Sequence, residues 1–288
     1  MRIAVIGMGS MGRAFATRAL ERGHGVAVWN RSPGRATAVV AAGAVEVPLE
    51  RAVGDADVVL LVLSDDEAVL KVCEGDGGIL ASLGSSTVLL NVSTVSPDTV
   101  RHLAAVGPAD RVLDAPVMGA PENVAVGHCR FLVGGPLPAI SSCEPLWTDL
   151  GVGYTHCGPI GTASIMKLIS NLLLITGVAS LAEAIATARS HGISDELLQN
   201  VFGESPVISP TSAIRLGGVI DPGHPGWFSP TLARKDVRLA VGLAQQAGLP
   251  VRVGPATDAL LTTVVESGEE WPDFSAVIEA LAPPTQRE

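Results

Sequence analysis

The 288-residue sequence predicts an α/β half, built on a parallel doubly wound sheet, followed by an all-helical half. Three observations carry this. Short apolar, β-branched runs alternate with helical stretches up to about residue 160. A glycine-rich turn joins the first run to the first helix. Beyond residue 160 the strand pattern stops, and an apolar stretch over 161–192 runs without a turn signal until Gly192.

In order, "RIAVIG" (2–7) reads as a buried strand, 10–22 as a helix and "GVAVWN" (25–30) as a second strand. "SPGRATAVVAAG" reads as a helix with Ser32 as cap and Pro33 at its first position. "DVVLLVL" (57–63) and "TVLLNVS" (87–93) are apolar enough to be strands covered on both faces. Ser96 and Pro97 open a helix over 96–106, and "RVLDAPV" and "CRFLVGG" add two more strands. The stretch 161–192 is then one helix of roughly seven to eight turns. Ser194 caps a helix that ends at Gly203, and 229–248 forms another, closed by Gly248 and Pro250. The expected domains are therefore 1–160 and 161–288, with the long helix joining them.

Composition narrows the function classes. A net charge of −10 disfavours a nucleic-acid partner. Cys73, Cys129, Cys143 and Cys157 have no C-x-x-C spacing and the six histidines no H-x-x-x-H pairing, so no metal site is expected. Scattered thiols and the lack of a targeting peptide suit a cytoplasmic protein. The apolar run 168–186 carries Ser170, Asn171, Thr176, Ser180 and Glu183, which favours a core or interface helix over a membrane span.

"AVIGMGSMGRAF" holds Gly7, Gly9 and Gly12 in G-x-G-x-x-G spacing, closing a strand and opening a helix within a βαβ unit. With 32 glycines in the chain that spacing arises by chance about 0.4 times, so the strand–turn–helix context is what makes it informative. The context is that of a Rossmann dinucleotide turn. Gly7 permits the turn, Gly9 lets backbone approach a pyrophosphate, Gly12 lets helix and strand pack, and Met8, Ser10 and Met11 complete the loop. An acidic residue at the end of the second strand would bind the ribose 2′-hydroxyl of NAD. Here stand Asn30, Arg31 and Ser32, with Arg35 one turn on, which favours the 2′-phosphate of NADP(H) over plain surface charge.

At this point the chain resembles the β-hydroxyacid dehydrogenases, which include 3-hydroxyisobutyrate dehydrogenases and glyoxylate or succinic semialdehyde reductases. The resemblance rests on five segments in order: "GMGSMG" (7–12), "NVSTVSP" (91–97), "DAPV" (114–117), "GTASIMKLISN" (161–171) and "FSPTLARKD" (228–236). It implies that Lys167 is the catalytic acid/base and that Asn171 assists it. Independently, the two are i and i+4 on one helix face, and a lysine ammonium can stabilise and protonate the oxygen left by hydride addition to a carbonyl. The resemblance also implies that Lys235 reaches the cofactor while Asp236 braces its helix, that Ser93 and Thr94 lie beside the nicotinamide, and that Leu63 and Ser64 pass the cofactor ribose.

Relatives acting on small hydroxy acids usually read D-A-P-V-S-G-G in the substrate loop. Here Met118, Gly119 and Ala120 follow Val117. The lost hydroxyl should cost a bound carboxylate roughly 1.5–3 kcal/mol, which favours a larger or less polar substrate than 3-hydroxyisobutyrate. "PVMGAP" is also similar to the loop of imine reductases, although Lys167 disfavours a protonated imine. The expectation is an NADPH-dependent oxidoreductase acting on a small carbonyl or hydroxy compound, without nucleic-acid or membrane partners, and a homodimer joined through its apolar helical half. An imine reductase is the alternative, and a non-catalytic NADPH-binding protein the second.

Overall fold

The computed structural model describes residues 1–75 and 77–281; residues 282–288, which the sequence assigns to the second domain, lie outside them. The chain divides into two compact units, Met1–Lys167 and the part from Leu168 onward. The division falls inside the long helix.

The first unit runs β1 (Arg2–Ile6), α1 (Ser10–Glu21), β2 (Gly25–Trp29), α2 (Thr37–Ala41), β3 (Val45–Glu46), α3 (Leu49–Gly54), β4 (Val58–Leu61), α4 (Asp66–Glu74), α5 (Ile79–Ser82), β5 (Val88–Asn91) and α6 (Pro97–Val106). It continues with β6 (Val112–Asp114), β7 (Val117–Met118), α7 (Pro121–Ala125), β8 (Arg130–Gly134), α8 (Leu137–Ser142), α9 (Glu144–Leu150), β9 (Tyr154–Gly158) and the start of α10 (Thr162–Ser190). The sheet order is β3-β2-β1-β4-β5-β6-β8-β7, with β9 on β8. The strands from β3 to β6 are parallel. Strand order reverses between β1 and β4, and in such sheets ligands bind beyond the carboxyl ends of the strands at that point.

Strand alternation explains the continuous apolar runs. Ile3, Val5, Val58 and Leu60 face one core, whereas Ala4, Ile6, Val59 and Leu61 face the other. The expected parallel, doubly wound sheet therefore holds for its Rossmann part. The sheet as a whole is mixed: β8 runs antiparallel to β6 and β7. "RVLDAPV" is not one strand either. Pro116 lacks an N–H and separates β6, which pairs with β5, from β7, which pairs with β8.

The helix expected from Ser32 and Pro33 begins at Thr37 instead, because Gly34 adopts φ +81° and breaks any helix through it. Ser96 and Ser194 cap their helices as expected, and Ser229 caps α14 in the same way.

The second unit carries most of α10, then α11 (Asp195–Phe202), α12 (Pro210–Ala213), α13 (Leu216–Ile220), α14 (Pro230–Gln246), α15 (Val253–Glu266) and a 3-10 helix, Phe274–Leu281. By length and composition α10 could cross a membrane. Yet Ile175, Val178, Leu181, Ala182 and Ile185 project from it at helical spacing into the core of this unit, against Phe228, Val237, Leu261 and Phe274. The apolar run is a core helix.

Candidate cofactor and catalytic site

At the switch point the three motif glycines behave differently. Gly7 has φ +104°, and a Cβ there would lie 2.2 Å from the Val62 carbonyl oxygen. A Cβ on Gly12 would lie 1.8 Å from the Gly7 carbonyl oxygen. Both are demanded by the packing of α1 on the ends of β1 and β4. A Cβ on Gly9 would meet nothing within 4 Å among the described residues. Gly9 occupies the N-cap of α1, where no side chain caps the helix and the first turn holds no acid. Free amides, a positive dipole end and open space above them fit a pyrophosphate.

The loop is held from beneath. The Met8 N–H donates to Asn30 Oδ1 at 2.9 Å, and Asn30 Nδ2 donates to the Ser32 carbonyl at 2.8 Å. Asn30 thus ties the glycine turn to the end of β2. The Met8 side chain lies in the core, Met11 packs against it, and Ser10 is exposed. Arg31, Ser32 and Arg35 are exposed beyond β2, and neither guanidinium has an ion pair among the described residues.

At the ends of β4 and β5 the side chains are partly committed. Ser93 is buried, accepts the Leu63 N–H at 2.9 Å and donates to the Leu61 carbonyl at 3.1 Å. Its hydroxyl thereby shapes the segment that carries Leu63. Ser64 is exposed and donates to Asp65 Oδ2 at 2.6 Å, and Thr94 is half-buried.

The loop after β6 connects to α10 through Asp114. This carboxylate is fully buried and accepts from the Ser164 N–H and from Ser164 Oγ, both at 2.7 Å. It caps the first turn of α10 with a negative charge, one turn before the half-buried Lys167. Burial pushes the Asp114 carboxyl up to about 6, against the lowering effect of the two Ser164 bonds. Met118 is 39% exposed at the end of β7, Gly119 has φ +148°, and the Ala120 N–H donates to Asn123 Oδ1 at 2.8 Å.

In the second unit, Asn171 and Asp236 are buried, and Asn171 Nδ2 donates to Asp236 Oδ2 at 2.6 Å. Lys235 Nζ lies 2.8 Å from Asp236 Oδ1, a contact of charge without hydrogen-bond alignment. Asp236 is therefore the hub joining α10 to α14 in this unit, which makes the brace expected of it concrete.

Asn171, Lys235 and Asp236 come together within the second unit. In the first, the glycine turn, Asn30, Leu63 and Ser93 cluster at the switch point. Sequence reasoning missed the Asp114–Ser164 clamp, because nothing local marks a partner fifty residues away. It also missed Asn123, although an Asn three residues after an N-cap position is a readable signal.

Residues 2–158 match the family described as the NAD binding domain of 6-phosphogluconate dehydrogenase, and residues 161–281 match the NAD-binding family of NADP-dependent 3-hydroxyisobutyrate dehydrogenase. An NAD-dependent L-serine dehydrogenase of Pseudomonas aeruginosa is 31% identical over 295 residues, covering 99% of either chain. The Mycobacterium tuberculosis 3-hydroxyisobutyrate dehydrogenase, solved with L-serine, is 27% identical with a TM-score of 0.79, over 98% of this chain and 99% of that one. An imine reductase from Pseudomonas sp., 23% identical with a TM-score of 0.62 over 98% and 99%, shares the fold. Full-length similarity of this kind, on a chain whose glycine turn is open where a dinucleotide phosphate would sit, makes it a member of the β-hydroxyacid dehydrogenase family and an NAD(P)-dependent oxidoreductase.

Proposed function

We propose that this enzyme uses NADP(H) to interconvert a small carbonyl compound and its alcohol, with Lys167 as general acid/base. The observation that carries the proposal is the placement of Lys167 one turn beyond a buried, doubly hydrogen-bonded helix cap. A lysine held this way presents its ammonium from a fixed backbone rather than from a mobile surface turn. A nicotinamide cofactor, when bound, supplies or accepts the hydride. Lys167 then stabilises the oxygen that becomes an alkoxide and delivers its proton. Asn171, one turn further on, is fixed by Asp236 and orients the same oxygen or the lysine. In the reverse direction Lys167 takes the proton from the hydroxyl.

The preference for NADP(H) is supported by Arg31 and Arg35, two exposed guanidinium groups at the end of β2 where an acid would favour NAD. Gly7, Gly9, Ser10, Met11 and Gly12 would hold the pyrophosphate through backbone. Leu63, Ser64, Ser93, Thr94 and Lys235 complete the proposed cofactor contacts, and Met118, Gly119 and Ala120 the substrate loop. Met118 supports a second reading, an imine reductase, since an apolar side chain there suits an uncharged ring. Lys167 opposes it, because an ammonium would face a protonated imine.

The deciding experiment offers carbonyl compounds and cyclic imines to the purified enzyme with NADPH and with NADH, following absorbance of the reduced cofactor. Carbonyl reduction with NADPH preferred, lost in Lys167→Ala, is the expected result. Undiminished turnover in Lys167→Ala would reject the mechanism. The four unpaired thiols suit a reducing cytoplasm.

A further inference from the structure

We propose that Asp66 is a positioning residue that fixes the Thr94 segment and, through it, the nicotinamide end of the cofactor. This rests on the reading of Leu63, Ser64, Ser93 and Thr94 as cofactor contacts.

The β4–β5 ladder ends at the pair Leu61–Asn91. Beyond it the strands run on into the two loops that carry Leu63 and Thr94. Backbone pairing reaches Val92, whose N–H donates to the Leu61 carbonyl at 2.9 Å. Side chains take over from there. Ser93 Oγ accepts the Leu63 N–H at 2.9 Å, and Asn91 Nδ2 donates to the Ser93 carbonyl at 3.1 Å. Asp66, in the first turn of α4, then reaches across to the start of α6. Its Oδ1 accepts the Ser96 N–H at 2.8 Å and the hydroxyl of the buried Thr99 at 2.6 Å. Thr94 thus lies in a segment pinned at both ends, at Ser93 and at Ser96, by groups that follow β4.

The Asp66 end of this tie is anchored. Asp65 caps α4 by accepting the Ala68 N–H at 2.8 Å, and it takes the Ser64 hydroxyl at 2.6 Å. The Asp66 carboxyl sits at the N-terminal ends of both α4 and α6, where the two helix dipoles favour it. Both of its bonds fall on a single oxygen, so an amide oxygen in the same place can accept them as well. Removing that oxygen frees the Ser96 end of the segment. A misplacement of about 1 Å at a reacting centre costs up to about a hundredfold in rate.

The test compares wild type with Asp66→Ala, Asp66→Asn and Thr99→Val, using whichever of NADPH and NADH the enzyme prefers. Three quantities are read: kcat with the carbonyl compound turned over fastest in the panel above, the fluorescence of the bound dihydronicotinamide, and calorimetric affinity for ADP-ribose or its 2′-phosphate, which lack the nicotinamide. Asp66→Ala should lower kcat by about ten- to a hundredfold and bring the fluorescence toward that of free cofactor, with ADP-ribose affinity within about twofold of wild type. Asp66→Asn keeps the accepting oxygen and should hold kcat within about threefold of wild type. Thr99→Val removes one donor at nearly constant volume and should fall between the two; it decides the matter by the same criteria if Asp66→Ala does not fold. Wild-type kcat and fluorescence in the deciding variant, whatever its stability in urea, overturn the proposal. So does an Asp66→Asn as impaired as Asp66→Ala, since charge rather than the two hydrogen bonds would then be at work. Thr94→Val isolates the underlying reading. A loss there with Asp66→Ala unaffected rejects only the positioning role, whereas wild-type values in Thr94→Val reject the cofactor reading of this segment together with the proposal.

Discussion

Arg31 and Arg35 are exposed and make no ion pair among the described residues, so both remain available to an anionic ligand. If they hold a 2′-phosphate, Arg31→Ala should raise the KM for NADPH by roughly ten- to a hundredfold, the worth of one charge-assisted bidentate contact. The KM for NADH should stay within about twofold. Equal losses for both cofactors would assign Arg31 to general loop structure. At Lys167 the expectation is different in kind. Lys167→Ala should cut kcat by roughly 10²–10⁴-fold, the range for a positioned acid/base, with NADPH affinity retained in a fluorescence titration. The proposals for Lys167 and Arg31 rest on the sequence, where a cation in a recognisable motif carries a chemical suggestion without its neighbours. The role of Asn30 was not legible there. Its place at the end of β2 suggested a ligand contact; the bridge its amide makes between Met8 and Ser32 was not readable from the chain.

Elements show where close packing and open space diverge. Gly12→Ala sets a methyl 1.8 Å from the Gly7 carbonyl oxygen and must displace α1. It should lower stability by more than about 2 kcal/mol. Gly9→Ala meets nothing within 4 Å among the described residues, and its unfolding free energy should change by less than about 1 kcal/mol. Dinucleotide binding should nevertheless weaken more than tenfold, since the methyl enters the space a pyrophosphate would take. Denaturant unfolding and cofactor titration on both variants separate the two effects. Retained cofactor affinity in Gly9→Ala would place the pyrophosphate elsewhere. The glycine spacing was visible in the chain. The division into a packing glycine and an open one was also readable there; the Val62 carbonyl that crowds Gly7 was not, because it depends on β4 lying beside β1.

The anchor of α10 carries a pH signature. The Asp114 carboxyl rises from 3.8 to about 6 because burial penalises its charge more than Ser164 relieves it. The Gly161 backbone N–H and the charge of Arg101 also favour the carboxylate, and the Cys157 thiol feels the Asp114 charge. With its folded value above its unfolded one, the native state binds more protons than the unfolded state between about pH 4 and pH 6. The contribution of Asp114 to stability is therefore fullest in acid, falls as pH rises through that window, and is level above it. The span corresponds to roughly 3 kcal/mol. Asp114→Asn should flatten this part of the stability profile, read by urea unfolding at stepped pH. An unchanged slope would move the titration to another group. The same variant should loosen the first turn of α10 and reduce kcat more than KM, because Lys167 follows the clamp by one turn.

For the whole molecule we propose a homodimer. Met166, Ile169 and Leu173 are exposed on α10, Leu173 by 71%, an apolar stripe that a second copy could cover. Light scattering should give twice the 29.5 kDa chain mass, and a monomer at micromolar concentration would dismiss the idea.

What the sequence determined by itself is whatever local periodicity and turn chemistry encode. That covers the buried parallel strands, the glycine turn, the serine caps, the long helix and the family to which its motifs point. Runs covered on both faces, and helices that begin at a serine cap, keep their meaning in a window of a dozen residues. Only the tertiary structure decided which polar side chains are spent inside the protein. Asp114 meets Ser164, Asn171 meets Asp236, and Ser93 meets Leu63 across distances no window spans. The pairing of β3 and β9 and the antiparallel direction of β8 belong to the same class. Which partner a strand takes, and in which direction, depends on a distant neighbouring edge that offers unpaired N–H and C=O groups.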